Sequence, residues 1–550
     1  MDFQRFFLFL IFSFSVFLLW DGWQRTQNPV VQTAPVAGIS TISAPVATTP
    51  VATTIDAANL GANAVAAQKK ILPGNKITVK TDRLVAEISS VGGDLRRLEF
   101  LQHYEATDKS KPFVLFQEHG EHTYIAQTGL LGTGLPTHNS TFVAQASDFQ
   151  LAQGQETLEV RLQATEITGA KVSKVYVFHR GSYLVDVVYE IENIGTNPLT
   201  SSAYFQLIRD TSTPVGGTMF VPTYTGPAVF TEQEKFQKVD FADIEKGKIN
   251  YPKSADNGWV GMLQHYFVSA WLPKDKLQRE FYTRHLENNL YSAGLIIPVG
   301  VLAPGQSTKI SVPLYAGPAQ TSLDKIAPGL GLTVDYGWLT ILSSPLFWVL
   351  SFLHGWVQNW GVAIILLTVL IKLAFFPLSA ASYRSMAKMR VVAPKLEKIK
   401  QQYGDDKERL HKAMMELYKT EKINPVGGCL PMLIQIPVFI ALYWAILASV
   451  ELRYAPFFGW INDLSAADPY YVLPLIMGAS MIIQTKLNPT PTDPMQAKLM
   501  QIMPIVFSVV FFFFPAGLVL YSIVNNVLSI AQQWVITRNL EAESKGAAKA

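Results

Sequence analysis

A chain of 550 residues is long enough for more than one domain, yet only 16% of it is charged, against about a quarter in an ordinary soluble protein. A formal net charge of +3, with no basic run interleaved with aromatics, argues against a specific nucleic-acid partner. The single cysteine, Cys429, excludes an intramolecular disulfide and a CxxC metal site, so an exported domain here has only core burial to hold it.

In chain order, Met1–Arg5 precedes an apolar stretch from Phe6 to Trp20. A cleaved signal peptide and a retained helix both fit. The flank Trp20-Asp-Gly-Trp23 resembles an aromatic interfacial anchor, which favours a transmembrane anchor over 1–26. Residues 27–70 are rich in Ala, Pro, Thr and Val and read as a flexible linker. Over 71–330 the apolar period becomes two, as in Ile77–Thr81, Leu158–Leu162, Tyr183–Ile191 and Lys309–Tyr315, with Gly, Pro, Asn or Asp turns between. That pattern predicts an all-β sandwich domain outside the membrane.

After Asp335 the pattern turns helical. Residues 335–356 place Leu346, Phe347, Leu350, Leu353 and Trp356 on one face, with Ser351 and His354 between, which predicts an interfacial amphipathic helix. Apolar spans follow at 357–383, 428–450 and 470–487. The stretch Leu499–Ile536 would reach about 57 Å, nearly twice the roughly 30 Å hydrocarbon core. It must fold back, at Pro515-Ala-Gly517, into spans 499–515 and 517–537, with a tail at 538–550. The predicted fold is a helical multispanning membrane core, five helices plus the N-terminal anchor, carrying an all-β sandwich.

Basic residues set the orientation. Arg384–Lys422 holds eleven Lys or Arg, whereas Glu451–Pro469 holds only Arg453. Basic loops stay cytoplasmic, so both termini are expected in the cytoplasm and the β-domain in the periplasm of a two-membrane cell. Residues 384–423 read as a helical hairpin, with Met386, Met389, Ala393, Leu396, Ile399 and Tyr403 on one apolar stripe and Leu410, Met414 and Leu417 on the other. Gly404 suits a helix stop, Asp405-Asp-Lys-Glu408 a capping box, and Pro394 a bend or break. Arg384, Lys388, Arg390, Lys395, Lys398 and Lys400 line the first arm. They fit either a basic arm meeting nascent chains, ribosome or lipid head groups, or a plain solvated connector.

Across all six proposed spans, Lys372 is the only ionisable side chain with apolar sequence on both sides. A mid-helix lysine costs about 2.5–3.5 kcal/mol on insertion scales, so it normally faces protein or water. Snorkelling is the alternative, since the cytoplasmic end of the span is about 10 Å away. Thr368 shares its face, and Gln435, Ser508, Tyr521, Ser522, Asn525 and Asn526 lie in other spans. Singly each suits an interhelical hydrogen bond; with a lysine they suit a wet cavity.

Asn359-Trp-Gly361, Met386-Ala-Lys-Met-Arg390, Gly404-Asp-Asp406, Asn424-Pro-Val-Gly-Gly-Cys-Leu-Pro431 with Gln435 and Pro437, Asp468-Pro-Tyr-Tyr471 and Phe514-Pro-Ala-Gly-Leu-Val-Leu-Tyr521 together resemble the YidC family of insertases, relatives of Oxa and Albino proteins. Gly258–Phe267 resembles the Gram-negative branch, whose extra domain is a β-sandwich similar to sugar mutarotases. The resemblance implies a groove among the five C-terminal helices, open to cytoplasm and lipid. It also implies nascent membrane-protein clients, and the Sec translocon, the ribosome and lipids as partners. The family places an arginine in the groove; Lys372 at the matching position keeps the charge and loses the bidentate fork. No GxxxxGK[ST] occurs, and no cofactor or metal is expected.

Two other functions fit less. A secondary transporter would use Lys372 and helices interrupted by Pro431, Pro437, Pro474 and Pro504, but there is no internal repeat and no second intramembrane charge. An enzymatic β-domain would need an acid/base pair, and no motif fixes His179, His265 or His285 as part of one.

Overall fold

The computed structural model describes residues 72–105, 108, 110–119, 122–165, 167–212, 224–248, 250–274, 276–404, 406–421, 430–488 and 494–547. The anchor expected at 1–26, the linker at 27–70 and Cys429 lie outside the described residues.

Among the described residues between Lys76 and Pro318, one sheet has ten strands and a second has nine. In the first, Leu199–Asp210 pairs antiparallel with both His122–Leu131 and Leu290–Leu302. In the second, Leu184–Asn193 lies between Ala170–His179 and Ser307–Pro318. The alternation has its expected consequence: Val185, Val187, Tyr189 and Ile191 are buried, while Asp186 and Glu190 on the other face are not. Phe100, Phe116, Tyr176, Phe205 and Trp271 fill the space between the sheets, each apolar side chain stabilising the fold by roughly 1.5–3 kcal/mol.

Strands Trp259–Gln264 and Phe267–Trp271 depart from alternation and are buried along their whole length. The nine-stranded sheet is covered on its second face as well. A second core runs there from Phe230, Trp259, Val268 and Leu272 through Leu330, Val334 and Tyr336 to Phe347, Leu350, Ile364, Leu442 and Ile446. It joins the sandwich to the helices. At the rim, Arg453 Nη2 donates to the Tyr104 carbonyl at 2.8 Å, the Tyr454 hydroxyl donates to the Glu105 carbonyl, and Lys238 Nζ lies 2.6 Å from Asp335 Oδ2.

The helical part comprises α1 (Thr340–Val357), α2 (Trp360–Ala374), α3 (Phe376–Tyr403), α4 (Lys407–Thr420), α5 (Leu430–Ala448), α6 (Val472–Leu487), α7 (Pro494–Val510) and α8 (Ala516–Ala547). By length and composition, α1 and Ala516–Asn539 of α8 are long enough to cross a membrane, and α2 with α3 qualify as one bent pair. Ile434–Ala448, Val472–Leu487 and Met500–Phe513 are shorter apolar helices.

Several local expectations are corrected. The stretch 357–383 is not one helix, because α2 and α3 meet at 67°. Pro377 in the first turn of α3 is the cause: it has no N–H for the Leu373 carbonyl and disfavours helical geometry just ahead of itself. The first hairpin arm therefore starts at Phe376 rather than Arg384, and it runs unbroken through Pro394, whose side chain is exposed where water can satisfy the freed carbonyl. Asp406 is the N-cap of α4 and accepts from Glu408 N and Arg409 N, which puts Glu408 at the second helical position, one short of a capping box. The outward face of α1 is aromatic rather than polar: Ile341, Trp348, Phe352 and Trp356 are exposed, while Ser343, Phe347 and Leu350 pack inward. Helix α8 continues through 538–547, where a tail is expected. Between Phe513 and Ala516 the helical run is interrupted, and Ala516 N and Gly517 N donate to the Ala466 and Leu464 carbonyls, satisfying the first amides of α8.

Candidate functional site

Asn359 N-caps α2 by accepting from Val362 N at 3.0 Å, and the break after Ala374 ends it, so Lys372 lies in its last turn. It is two residues from the end of that helix, not seven as a continuous span would have placed it. The carbonyl end of a helix favours a cation. The ammonium does not run outward along the helix. It donates to Ser529 Oγ of α8 at 2.7 Å, and Ser529 in turn donates to the Asn525 carbonyl at 2.7 Å. Among the described residues no carboxylate lies within ion-pair distance of Lys372.

The other nominated residues divide into groups. Gln435 of α5 donates to the Tyr521 hydroxyl of α8 at 2.6 Å. Asn525 joins the Lys372 cluster through its backbone carbonyl. Thr368 and Ser522 are buried and donate to carbonyls of their own helices, Ile364 and Leu518. Ser508 belongs to the contact of α7 with α6, where it donates to the Pro474 carbonyl and lies against Gly478.

Sequence reasoning missed Ser529, Gln532 and Gln533. Gln532 Nε2 reaches the Phe376 carbonyl at the α2–α3 break, and Gln533 Nε2 reaches the Leu487 carbonyl and Asn488 Oδ1 at the end of α6. Asn526 bonds Ser480 of α6. Ser522, Asn525, Asn526, Ser529, Gln532 and Gln533 follow helical spacing. This polar stripe was the available signal, and it ran past the apolar centre into what reads as the helix end.

In the hairpin, Val392 and Leu396 are buried against Met389, Met414, Leu417 and Tyr418. Arg384, Lys388, Arg390, Lys395, Lys398 and Lys400 are exposed, and Lys395 pairs with Glu421 at 2.7 Å. Elsewhere, His179 pairs with Asp186 at 2.8 Å, His285 stacks on Tyr291, and His265 sits in the turn between Trp259–Gln264 and Phe267–Trp271. The three histidines have separate partners, and no cluster of His, Cys, Asp or Glu suited to a metal occurs among the described residues.

Comparison with known proteins places these features. Residues 76–349 match the family model described as YidC periplasmic domain, and residues 352–543 match 60Kd inner membrane protein. The chain is 56% identical to the membrane protein insertase YidC of Nitrosospira multiformis, over 100% of this chain and 99% of that one. It is 53% identical to that of Methylobacillus flagellatus over 100% of both. A crystal structure of an active YidC insertase aligns with 84% of this chain and 92% of that one, at 20% identity and a TM-score of 0.40. The chain thus belongs to the YidC family of membrane protein insertases.

Proposed function

We propose that this protein receives nascent membrane-protein segments beside α2 and α8 and releases them sideways into the bilayer. The observation that carries the reading is the Lys372 ammonium, turned toward a hydroxyl of α8 and, among the described residues, with no carboxylate within ion-pair distance. A cation held in this way attracts acidic residues in the short outer segment of a client. The client's apolar helix then partitions into lipid, and that burial drives the step. The bond to Ser529 favours a protein-facing Lys372 over a snorkelling one.

The remaining assignments follow from charge. Hairpin α3–α4 presents Arg384, Lys388, Arg390, Lys395, Lys398 and Lys400 to the cytoplasm, where the ribosome, anionic lipids and emerging clients are its partners. Both termini are cytoplasmic and the sandwich is periplasmic. The protein works alone or beside the Sec translocon, and it performs no covalent chemistry.

Reconstituted vesicles test this. Insertion of a client with an acidic outer segment should fall about tenfold or more in Lys372→Gln, and Lys372→Arg should support it. Wild-type insertion by Lys372→Gln removes the proposal.

A further inference from the structure

Lys372 and its partner form a directed chain. Lys372 Nζ donates to Ser529 Oγ at 2.7 Å, and Ser529 Oγ donates to the Asn525 carbonyl at 2.7 Å. Because the one hydroxyl proton is committed to Asn525, Ser529 meets the ammonium only as an acceptor. The Asn525 carbonyl polarises that hydroxyl and strengthens its hold on the cation. Ser529 is buried on α8, so its oxygen has a fixed position in the protein. Tyr383, buried on α3, lies near the same hydroxyl. Three helices, α2, α3 and α8, therefore converge on one neutral oxygen.

The charge type of that partner matters. A carboxylate here would hold Lys372 equally well and cancel its field, leaving nothing to attract a client's acidic segment. An apolar residue would leave the field and lose the position, freeing a four-carbon stem to swing toward either lipid or water. A hydroxyl alone of these three holds the cation and leaves it uncompensated.

We infer that Ser529 is the positioning residue for the insertase cation, and that its neutrality makes insertion selective for clients with acidic outer segments. The inference rests on the reading of Lys372 given under the proposed function, and the test separates the two.

The full-length protein in vesicles is given two clients, one with an acidic outer segment and one with those acids changed to amides. Ser529→Asp should slow the acidic client as much as Lys372→Gln does, about tenfold or more, and leave the amide client near the wild-type rate. Ser529→Asn, the same size without charge, should slow it less than Ser529→Asp. Ser529→Ala should cost about three- to tenfold with the acidic client, and Ser529→Thr should restore it. If Lys372→Gln slows the acidic client while Ser529→Asp and Ser529→Asn behave alike, or both clients slow together, Ser529 is only structural and the inference fails alone. If Lys372→Gln inserts the acidic client normally, the underlying reading fails. Should Ser529→Asp not reconstitute, Ser529→Ala and Ser529→Thr decide by the same client comparison.

Discussion

Gln435 and Tyr521 are 86 residues apart in sequence and 2.6 Å apart in space, the amide of α5 donating to the phenol of α8. Tyr521 is almost wholly buried, so neither group has water as an easy substitute. Helix packing in a bilayer gains little from the hydrophobic effect, and such polar contacts help to fix which helices touch.

Tyr521→Phe removes the acceptor and leaves the Gln435 amide without it. Unfolding in detergent should show a loss of about 0.6–1.7 kcal/mol. Adding Gln435→Leu should cost little more, since the pair acts as one unit. Two additive losses would show that the contact carries no energy.

Arg453 holds the sandwich to the core by bonding the Tyr104 carbonyl and lying 5.2 Å from the Tyr266 ring centre and 5.1 Å from that of Tyr454. Arg453→Ala should weaken the junction by about 1.5–3 kcal/mol, the range for a hydrogen bond to a charged group. Hydrogen exchange at Tyr104, Glu105 and residues 449–469 should rise, with strands 184–193 unchanged. Equal exchange in both proteins would rule out Arg453 as the clamp.

The junction is also sensitive to acid. Burial, with the Arg453 charge second, lowers His103 and His265 from 6.5 to about 4. Their stabilising contribution is present above pH 6.5 and lost as pH falls toward 4, because only the unfolded histidines take up protons in that window. Glu451, raised by burial to about 7, acts in the opposite sense as pH falls through 7. Wild-type stability therefore mixes these terms, and the difference between proteins isolates one. On lowering pH from 6.5 to 4, a His103→Gln, His265→Gln protein should gain stability relative to wild type. A pH-independent difference in melting temperature would contradict the assignment.

Gly361 opens α2 against Phe457, where an added Cβ would stand 2.0 Å from a ring carbon. Gly361→Ala should destabilise the core by about 1–3 kcal/mol through overpacking. The melting temperature in detergent reads this directly, and an unchanged value would mean that Phe457 moves freely.

Much of the architecture was legible in the sequence because its signals are local. Alternation at 183–191 reports a half-buried strand whatever lies opposite, and Pro515-Ala-Gly517 marks an interruption of the helical run without knowledge of its neighbours. Lys372 stood out for the same reason, as a cation with apolar sequence on either side.

What tertiary structure decided was which surfaces meet. Burial of both faces of 259–271 depends on a second core supplied by segments beyond residue 318, so no local period could announce it. Pro394 reads as a breaker and Pro377 as part of a continuous span, yet the 67° bend lies at Pro377 and α3 runs on through Pro394. The partner of Lys372 lies 157 residues further along the chain. A sequence fixes which faces of a helix are polar, but the rotation and depth at which two helices pack choose the atoms that come within hydrogen-bond distance.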